Sequence, residues 1–83
     1  MTRSVKVLLF ATLRDRIGSK KIEVELPVHA TVKQLKDHLA QVYPAVATAM
    51  DSVIVAIDRK FAFDEHEIPE GVEVALFPPV SGG

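Results

Sequence analysis

One helix pattern stands between two groups of strand patterns, and this order limits the folds that the chain can adopt. From Thr31 to Val42, apolar residues recur at helical spacing, and Thr31 with Gln34 forms a capping-box pattern at the start. A single helix can cover only one face of a sheet. The sequence therefore predicts an α+β fold, in which a mixed sheet of about five strands carries one main helix across one face.

The strand predictions rest on apolar runs and on one alternating segment. Val5 to Phe10 is almost continuously apolar, as is typical of a central strand, whereas Lys21 to Leu26 alternates strictly, as a half-buried strand does. The patterns predict strands at 4–13, 21–26, 53–57, 61–63 and 72–77, with turns at 14–20 and 58–60. If the first and last strands are both central, they pair in parallel, which is the β-grasp or ubiquitin-like arrangement.

Size and composition indicate one small domain. The chain has 83 residues, of which 48% are hydrophobic and 25% charged, and its formal net charge is −1. That balance gives no general attraction to nucleic acid or to an anionic membrane, and no apolar run approaches the roughly 18 residues of a membrane span. Cysteine is absent, which excludes disulfides, thiolate metal sites and a cysteine nucleophile. We therefore expect a cytoplasmic protein that binds neither nucleic acid nor membrane.

The last residues differ from the rest of the chain. Pro78 and Pro79 follow the final strand pattern, and because proline has a fixed φ and no N–H, no ladder continues through them. We expect a β-grasp domain at 1–77 and an extended tail at 78–83, which at about 3.1 Å per residue reaches roughly 18 Å. Gly82 and Gly83 place no side chain beside a terminal carboxylate, so this end could enter a narrow channel. The alternative is a frayed end without function.

The acidic stretch 64–67 is the candidate for a metal site. It combines Asp64, Glu65 and Glu67 with His66, and oxygen ligands with one histidine can hold a divalent ion. The spacing matches no ligand-loop motif, however, and exposed loops are often acidic. We therefore expect a solvated loop and no metal site. Since no glycine-rich phosphate loop is present, we also expect this chain to bind no ATP by itself.

Aromatic and charged residues leave two questions open. Core packing is favoured for Phe10 and Phe63, whereas Phe61 and Phe77 fit core packing and a partner contact equally well. Residues 1–21 hold six basic residues against one acid, and residues 51–73 hold seven acids against two basic residues. This asymmetry could orient a protein partner, or the two sets could neutralise each other across neighbouring strands, which is the favoured interpretation.

Several stretches together resemble one family. They are VKVLLFA at 5–11, LR at 13–14, TVxxL at 31–35, VAI at 55–57 and, above all, GxEVALFPPVSGG at 71–83. Over its whole length the chain is similar to the small, sulfur-carrier subunit of molybdopterin synthase, the MoaD family of ubiquitin-like β-grasp proteins. The ending PPVSGG after a strand separates this family from the shorter sulfur carriers of the thiamin pathway. The chain departs from the family at Asp58, where members usually have Asn, and at Val72, where they have Asp.

That resemblance implies a chemistry for Gly83. In this family an E1-like enzyme adenylates the terminal carboxylate with ATP, and a sulfur donor protein then displaces AMP to leave a thiocarboxylate. The sulfur passes to cyclic pyranopterin monophosphate in the active site of the large subunit, within a heterotetramer. Because the catalytic lysines lie on the large subunit, the carrier is expected to be a non-catalytic subunit that binds no cofactor. Gly83 and Gly82 would form the reactive end, and partner contacts are expected at Phe10, Phe61, Phe77, Pro78, Pro79, Val80 and Ser81.

Other functions fit the same fold. A ubiquitin-like protein modifier, or another β-grasp sulfur carrier, would use the same tail and the same activation chemistry. A plain interaction module would carry an inert tail. Conjugates of raised mass in cells favour the modifier, whereas a discrete complex with a large subunit favours the carrier.

Overall fold

The computed structural model describes residues 1–79 and shows one five-stranded mixed sheet with two helices. The elements are β1 (Thr2–Leu9), α1 (Ala11–Ile17), β2 (Lys21–Pro27), α2 (Val32–Val42), two short 3₁₀ turns (Pro44–Val46 and Ala49–Asp51), β3 (Ile54–Ile57), β4 (Lys60–Ala62) and β5 (Glu73–Phe77). The strand order is β2-β1-β5-β3-β4. β1 and β5 pair in parallel at the centre, and the other neighbours are antiparallel. The predicted β-grasp fold is therefore confirmed.

The core forms where α2 packs on one face of the sheet. Thr31 caps this helix as predicted: its hydroxyl oxygen accepts from the Gln34 N–H at 3.3 Å, and its own N–H donates to Gln34 Oε1 at 2.8 Å. The helix ends at Val42, and Tyr43 is its C-cap, because Pro44 disfavours helical backbone at the residue that precedes it. The buried core side chains of the sheet and of α2 are Val5, Val7, Leu9, Val24, Leu26, Val32, Leu35, Leu39, Val55, Val74 and Leu76.

The prediction was wrong between residues 10 and 17. A strand was expected to run to Leu13 and a turn to follow it, but β1 ends at Leu9 and α1 begins at Ala11. Leu13 and Ile17 lie four residues apart, so both point to one side of the helix, and Leu13 is fully buried in the core. Gly18 ends α1 in the left-handed conformation, with φ of 90°, which glycine adopts without steric cost.

The segment between β4 and β5 is fastened to the start of the sheet. Ile68 is buried, and its N–H donates to the Ala30 carbonyl at 2.8 Å. The Arg3 guanidinium donates to the carbonyls of Ile68 and Pro69, which holds the segment beside the first residues of β1. Within residues 1–79, no helix is long and apolar enough to cross a membrane.

Candidate functional site

The second face of the sheet, the open face, carries no helix in the part of the chain that the structure describes. Strand alternation turns Val7 and Val74 into the core and their neighbours Leu8 and Ala75 outward. The register places Leu8 beside Ala75 and Ala75 beside Ala56, so small and apolar side chains form a row across three strands. We call the following outward-facing residues the apolar patch: Leu8, Phe10, Ile54, Ala56, Phe61, Ala75 and Phe77.

A shallow groove runs along this patch. Its volume is about 820 Å³. Phe10 and Phe77 line one end of the groove, where the C-terminal segment leaves the sheet. The other end is lined by the hairpin turn at Asp58 and Arg59 and by Gly71 at the start of β5. The groove thus connects the base of the tail to a polar rim at the opposite end of the strands.

Phe10 and Phe77 form an aromatic pair at the end of β1 and β5. Their ring centroids are 4.6 Å apart and their planes are 13° from parallel. Leu9 pairs with Leu76 in the parallel register, so the two phenylalanines follow at equivalent positions on neighbouring strands. Phe10 is 39% exposed, and the core packing favoured for it is therefore wrong. It faces outward because Leu9, its neighbour on the strand, occupies the core position.

Phe61 and Phe63 lie at the outer edge of the sheet. Phe61 lies opposite Ala56 and is 74% exposed. Of the two alternatives for Phe61, core packing and a partner contact, core packing is therefore excluded. Phe63 is 63% exposed, so core packing was also wrong here. Its N–H donates to Nδ1 of His66 at 2.7 Å, and its ring lies against the imidazole at 5.6 Å between centroids. Ala62, between the two phenylalanines, packs against the core, so strand alternation turns Phe61 to the open face, and Phe63 follows the end of β4.

The other half of the open face is polar, and its side chains make polar contacts with one another across the strands. Thr2 donates its hydroxyl proton to Glu25 at 3.0 Å, and Ser4 donates to Glu23 at 3.1 Å. Lys21 Nζ lies 3.5 Å from Glu73 Oε2. These cross-strand contacts pair the carboxylates with neighbours in the same sheet. The open face therefore has two halves: a polar half whose side chains pair with one another, and an apolar half that adjoins the tail.

Of the predicted tail at 78–83, the structure describes Pro78 and Pro79. Pro78 is half-buried and Pro79 exposed, and both follow the last residue of β5 outside any strand. The expectations for Val80, Ser81, Gly82 and Gly83 lie outside the described residues and stay predictions. Partner contacts at Phe10, Phe61, Phe77, Pro78 and Pro79 likewise stay predictions, although the structure brings the first three to one open face.

The acidic stretch 64–67 is held by separate contacts. Lys36 donates to Asp64 at 2.6 Å, and this hydrogen bond, with the charge of Lys36, holds the pKa of Asp64 below its ordinary value of 3.8. Glu67 lies 2.8 Å from Nδ1 of His29. Among residues 1–79, no group of three or more His, Cys, Asp or Glu side chains is placed to hold a metal ion.

Comparison with known proteins agrees with the fold and with the sequence resemblance. Residues 7–83 match the ThiS family. The chain belongs to this family. It is similar to the molybdopterin synthase sulfur carrier subunit of Haemophilus influenzae, with 37% identity over 95% of this chain and 99% of the relative. The corresponding subunit of Escherichia coli K12 is 35% identical over the same shares of the two chains. The similarity to the sulfur-carrier subunits of molybdopterin synthase, expected from the motifs, is thereby confirmed.

A solved structure extends the likeness to a small archaeal modifier protein. This protein, SAMP1 from Haloferax volcanii, superposes with a TM-score of 0.82. It is 32% identical, and the match covers 98% of this chain and 100% of SAMP1. This chain is therefore similar to sulfur-carrier subunits and to a modifier protein at comparable identity.

Sequence reasoning missed the short helix α1 and the surface that it carries. The helix brings Arg14 and Arg16 to the end of the sheet from which the tail departs, because it begins two residues after β1 ends. The available signal was the spacing of Leu13 and Ile17 together with Gly18 as a helix end. That signal is weak, because one pair of apolar residues does not establish a helical period.

Proposed function

We propose that this chain is the sulfur-carrier subunit of molybdopterin synthase. In this role Gly83 is converted to a thiocarboxylate, which donates sulfur to cyclic pyranopterin monophosphate in molybdenum cofactor biosynthesis. The observation that carries the proposal is the apolar patch that adjoins the base of the tail at Phe77. A carrier needs such a surface beside its reactive end, so that docking and delivery of the end occur in one step. Relatives that bear this name match nearly the whole chain.

The tail residues fit the chemistry that this role requires. A carboxylate is a poor electrophile, so an E1-like enzyme would first join the Gly83 carboxylate to AMP from ATP, with release of pyrophosphate. A sulfide equivalent from a sulfur donor protein would then attack the carbonyl carbon and expel AMP, which carries away one carboxylate oxygen. Gly82 and Gly83 have no side chain to obstruct either approach. The chain itself would hold neither ATP nor a metal in these steps.

The apolar patch would bind the large subunit, which supplies the active site. Phe10, Phe61 and Phe77 present aromatic rings on one face, and aromatic side chains are enriched among the residues that dominate interface energies. Pro78 and Pro79 have fixed φ, so two positions of the tail lose less conformational entropy when it enters a channel. In this proposal the two kinds of subunit form a cytoplasmic heterotetramer.

Intact mass spectrometry tests the carrier chemistry directly. The purified chain is incubated with the activating enzyme, ATP and a sulfur donor, and a gain of about 16 Da on the C-terminal peptide is expected, because sulfur replaces oxygen. A variant that lacks Gly83 should gain no mass and should unfold at the same temperature as the parent protein. Gln41→Ala, an exposed change on α2, serves as the matched control and should gain the full mass. A parent chain that stays at its encoded mass would contradict the proposal.

A protein modifier is the second candidate, because SAMP1 is about as similar to this chain as the sulfur carriers are. A modifier would use the same adenylate and then form an isopeptide bond with a target lysine. Denaturing immunoblots of cells that express the tagged chain distinguish the two functions. A ladder of conjugates that disappears on deletion of Gly83 favours the modifier, whereas a discrete complex with a large subunit favours the carrier.

A further inference from the structure

The outer edge of β4 exposes the backbone hydrogen-bonding groups of Phe61. A two-residue turn joins β3 to β4, so Ile57 and Lys60, which flank the turn, exchange backbone hydrogen bonds. Hydrogen-bonded and non-hydrogen-bonded positions alternate along an antiparallel pair, and Phe61, opposite Ala56, occupies the next, non-hydrogen-bonded position. The N–H and C=O of Phe61 therefore point away from β3. Among residues 1–79, no further strand lies beyond β4 to receive them.

The exposed edge ends at Phe63, whose backbone groups are already engaged. The Phe63 N–H donates to Nδ1 of His66 at 2.7 Å, and the Phe63 carbonyl accepts from the His66 N–H at 2.9 Å. A strand that adds to this edge without disturbing the contact with His66 must therefore centre its hydrogen bonds on Phe61.

A pocket with aromatic walls adjoins the same edge. Its volume is about 620 Å³, and its lining includes Phe61, Phe63, Ile54 and Glu65. Both rings are largely exposed. Soluble proteins usually charge or cover the edge strands of their sheets, because an exposed apolar edge pairs readily with another strand. The combination of open backbone groups, exposed rings and a pocket thus favours addition of a strand at this edge.

The charges along this edge are complementary to themselves. The segment 59–65 reads RKFAFDE, in which two basic residues precede the aromatic positions and two acidic residues follow them. If this segment lies antiparallel to a second copy, the basic part of each copy lies beside the acidic part of the other. Arg59, Lys60 and Glu65 form no ion pair among the contacts of residues 1–79.

The charges of this region are not neutralised by the basic start of the chain. Within residues 1–79, the contact of Lys21 with Glu73 is the one ion pair that joins segment 1–21 to segment 51–73. Mutual neutralisation of these two segments, the favoured interpretation of the sequence, therefore holds for Lys21 alone. Asp64 contacts Lys36 on α2, which leaves Glu65 as the acid of the edge that lines the pocket without an ion pair of its own.

We propose that the β4 edge binds a second copy of this chain, so that two five-stranded sheets join about a two-fold axis at Phe61. The Phe61 N–H of each copy would donate to the Phe61 carbonyl of the other, and the two rings would lie side by side on the open face. The diagonal neighbours of Phe61 and Arg59 would be the second copy's Phe63 and Glu65. Each Phe61 ring would thereby lie against the aromatic wall of the other copy's pocket.

The dimer would leave both tails accessible. β4 and β5 run in the same direction, because both are antiparallel to β3. In the second copy these strands run the opposite way, so the two tails would leave from opposite ends of the joined sheet. Activation of Gly83 is thus compatible with the dimer. Since Phe61 is also an expected contact of the large subunit, binding of that subunit would displace the second copy.

Sedimentation equilibrium of the full chain tests this dimer in the absence of other proteins. Between about 10 μM and about 1 mM, the average mass should rise from that of one chain toward that of two. Arg59→Glu and Glu65→Lys should each weaken the dimer about 5-fold or more, because each change places two pairs of like charges across the two-fold axis. An equimolar mixture of the two variants should associate as the parent does, since opposite charges are again adjacent.

Two controls separate the edge from net charge and from misfolding. Lys20→Glu makes the same change of net charge as Arg59→Glu at an exposed position beside β2, and it should change the dimer's dissociation constant less than about 2-fold. The mixture controls for folding, because a misfolded variant could not restore association.

Three results would overturn the dimer. The parent chain could remain single at about 1 mM, in which case the β4 edge is left for a partner of another kind, such as the large subunit. Both charge variants could associate as tightly as the parent, which would place the contact elsewhere. The mixture could remain as single chains although each variant is folded. The mass gain at Gly83 depends on none of these results, so the dimer and the proposed function can fail separately.

Discussion

Phe10 and Phe77 stack face to face, with ring centroids 4.6 Å apart, at the point where the two central strands end. Phe10 leads into α1, and Phe77 leads into Pro78 and Pro79. The stack therefore joins the start of α1 to the base of the tail. A partner that binds one ring contacts a surface that includes the other.

Truncation of either ring should weaken binding of the large subunit. Phe77→Ala is expected to cost about 1–3 kcal/mol of binding free energy, since an aromatic anchor at the centre of an interface is lost. Phe10→Ala should weaken binding as well, and the double variant should lose less than the sum, because the coupling between stacked rings is about 0.5–1.5 kcal/mol. Titration calorimetry measures all four dissociation constants.

Phe63→Ala is the matched control for this cycle. Phe63 is exposed like Phe10, but it lies at the edge of the sheet against His66 and does not line the groove. Its truncation should leave the dissociation constant within about 2-fold, as expected for a residue outside the interface. If Phe63→Ala weakens binding as much as Phe77→Ala does, the interface is not centred on the stacked pair of Phe10 and Phe77.

The capping box of α2 should contribute measurably to stability. Thr31→Ala removes the acceptor for the Gln34 N–H and is expected to lower the free energy of unfolding by about 0.5–2 kcal/mol. Urea unfolding followed by circular dichroism gives the value. Thr12→Ala on the exposed side of α1 should change stability by no more than about 0.5 kcal/mol. A Thr31→Ala protein as stable as the parent would mean that packing of Val32 and Leu35 alone fixes the start of the helix.

The parts of the fold that were predictable are those with local signals. Thr31, Gln34 and the apolar positions of α2 lie within one helix, so sequence spacing alone reveals them. The parallel pairing of β1 with β5 was predicted on the condition that both largely apolar strands are central, with one helix to cover them. The helix α1 was not predictable in this way, because seven residues supply one apolar pair and Leu13 fits a strand equally well.

The candidate site was predictable residue by residue but not as a surface. Phe61 and Phe77 were singled out as partner contacts, yet their common face depends on the registers of β3 with β4 and with β5. Core packing was favoured for Phe10 and Phe63 because large apolar side chains usually are buried, although the resemblance also implied a partner contact at Phe10. Both directly follow the last residue of a strand, Phe10 after β1 and Phe63 after β4, and tertiary packing sets where a strand ends. No short-range pattern encodes it.

Because of the contact between Asp64 and Lys36, the free energy of unfolding should vary with pH in the acid range. The hydrogen bond from Lys36 lowers the pKa of Asp64 in the folded state below its ordinary value of 3.8, so ionised Asp64 favours folding. This stabilisation is present above pH 3.8 and is lost as the pH falls through the lowered pKa of the folded state. Since Asp64 is about half exposed, the contribution is expected to be at most about 1 kcal/mol and to shrink with salt.

Urea unfolding of Asp64→Asn over a range of pH measures that contribution. The variant should be less stable than the parent near neutral pH, and the two curves should converge as the acid limb is reached. Glu70→Gln, at an exposed carboxylate with no ion pair among the contacts of residues 1–79, is the control and should show a smaller difference. If the difference in the free energy of unfolding between Asp64→Asn and the parent stays constant with pH, the effect comes from lost packing and not from the charge of Asp64.

The hairpin between β3 and β4 should become more stable when its turn receives glycine. Asp58 and Arg59 both have positive φ, 51° and 68°, as a two-residue type I′ turn requires. This backbone conformation is strained for any residue other than glycine, because the Cβ atom comes too close to the backbone. Arg59→Gly should therefore raise the free energy of unfolding by about 0.5–1 kcal/mol, measured by urea unfolding. Gly71→Ala is the opposite control: φ is 78° and no atom lies within 4 Å of an added Cβ, so strain alone should lower stability. If Arg59→Gly destabilises the protein, contacts of the Arg59 side chain outweigh the backbone cost.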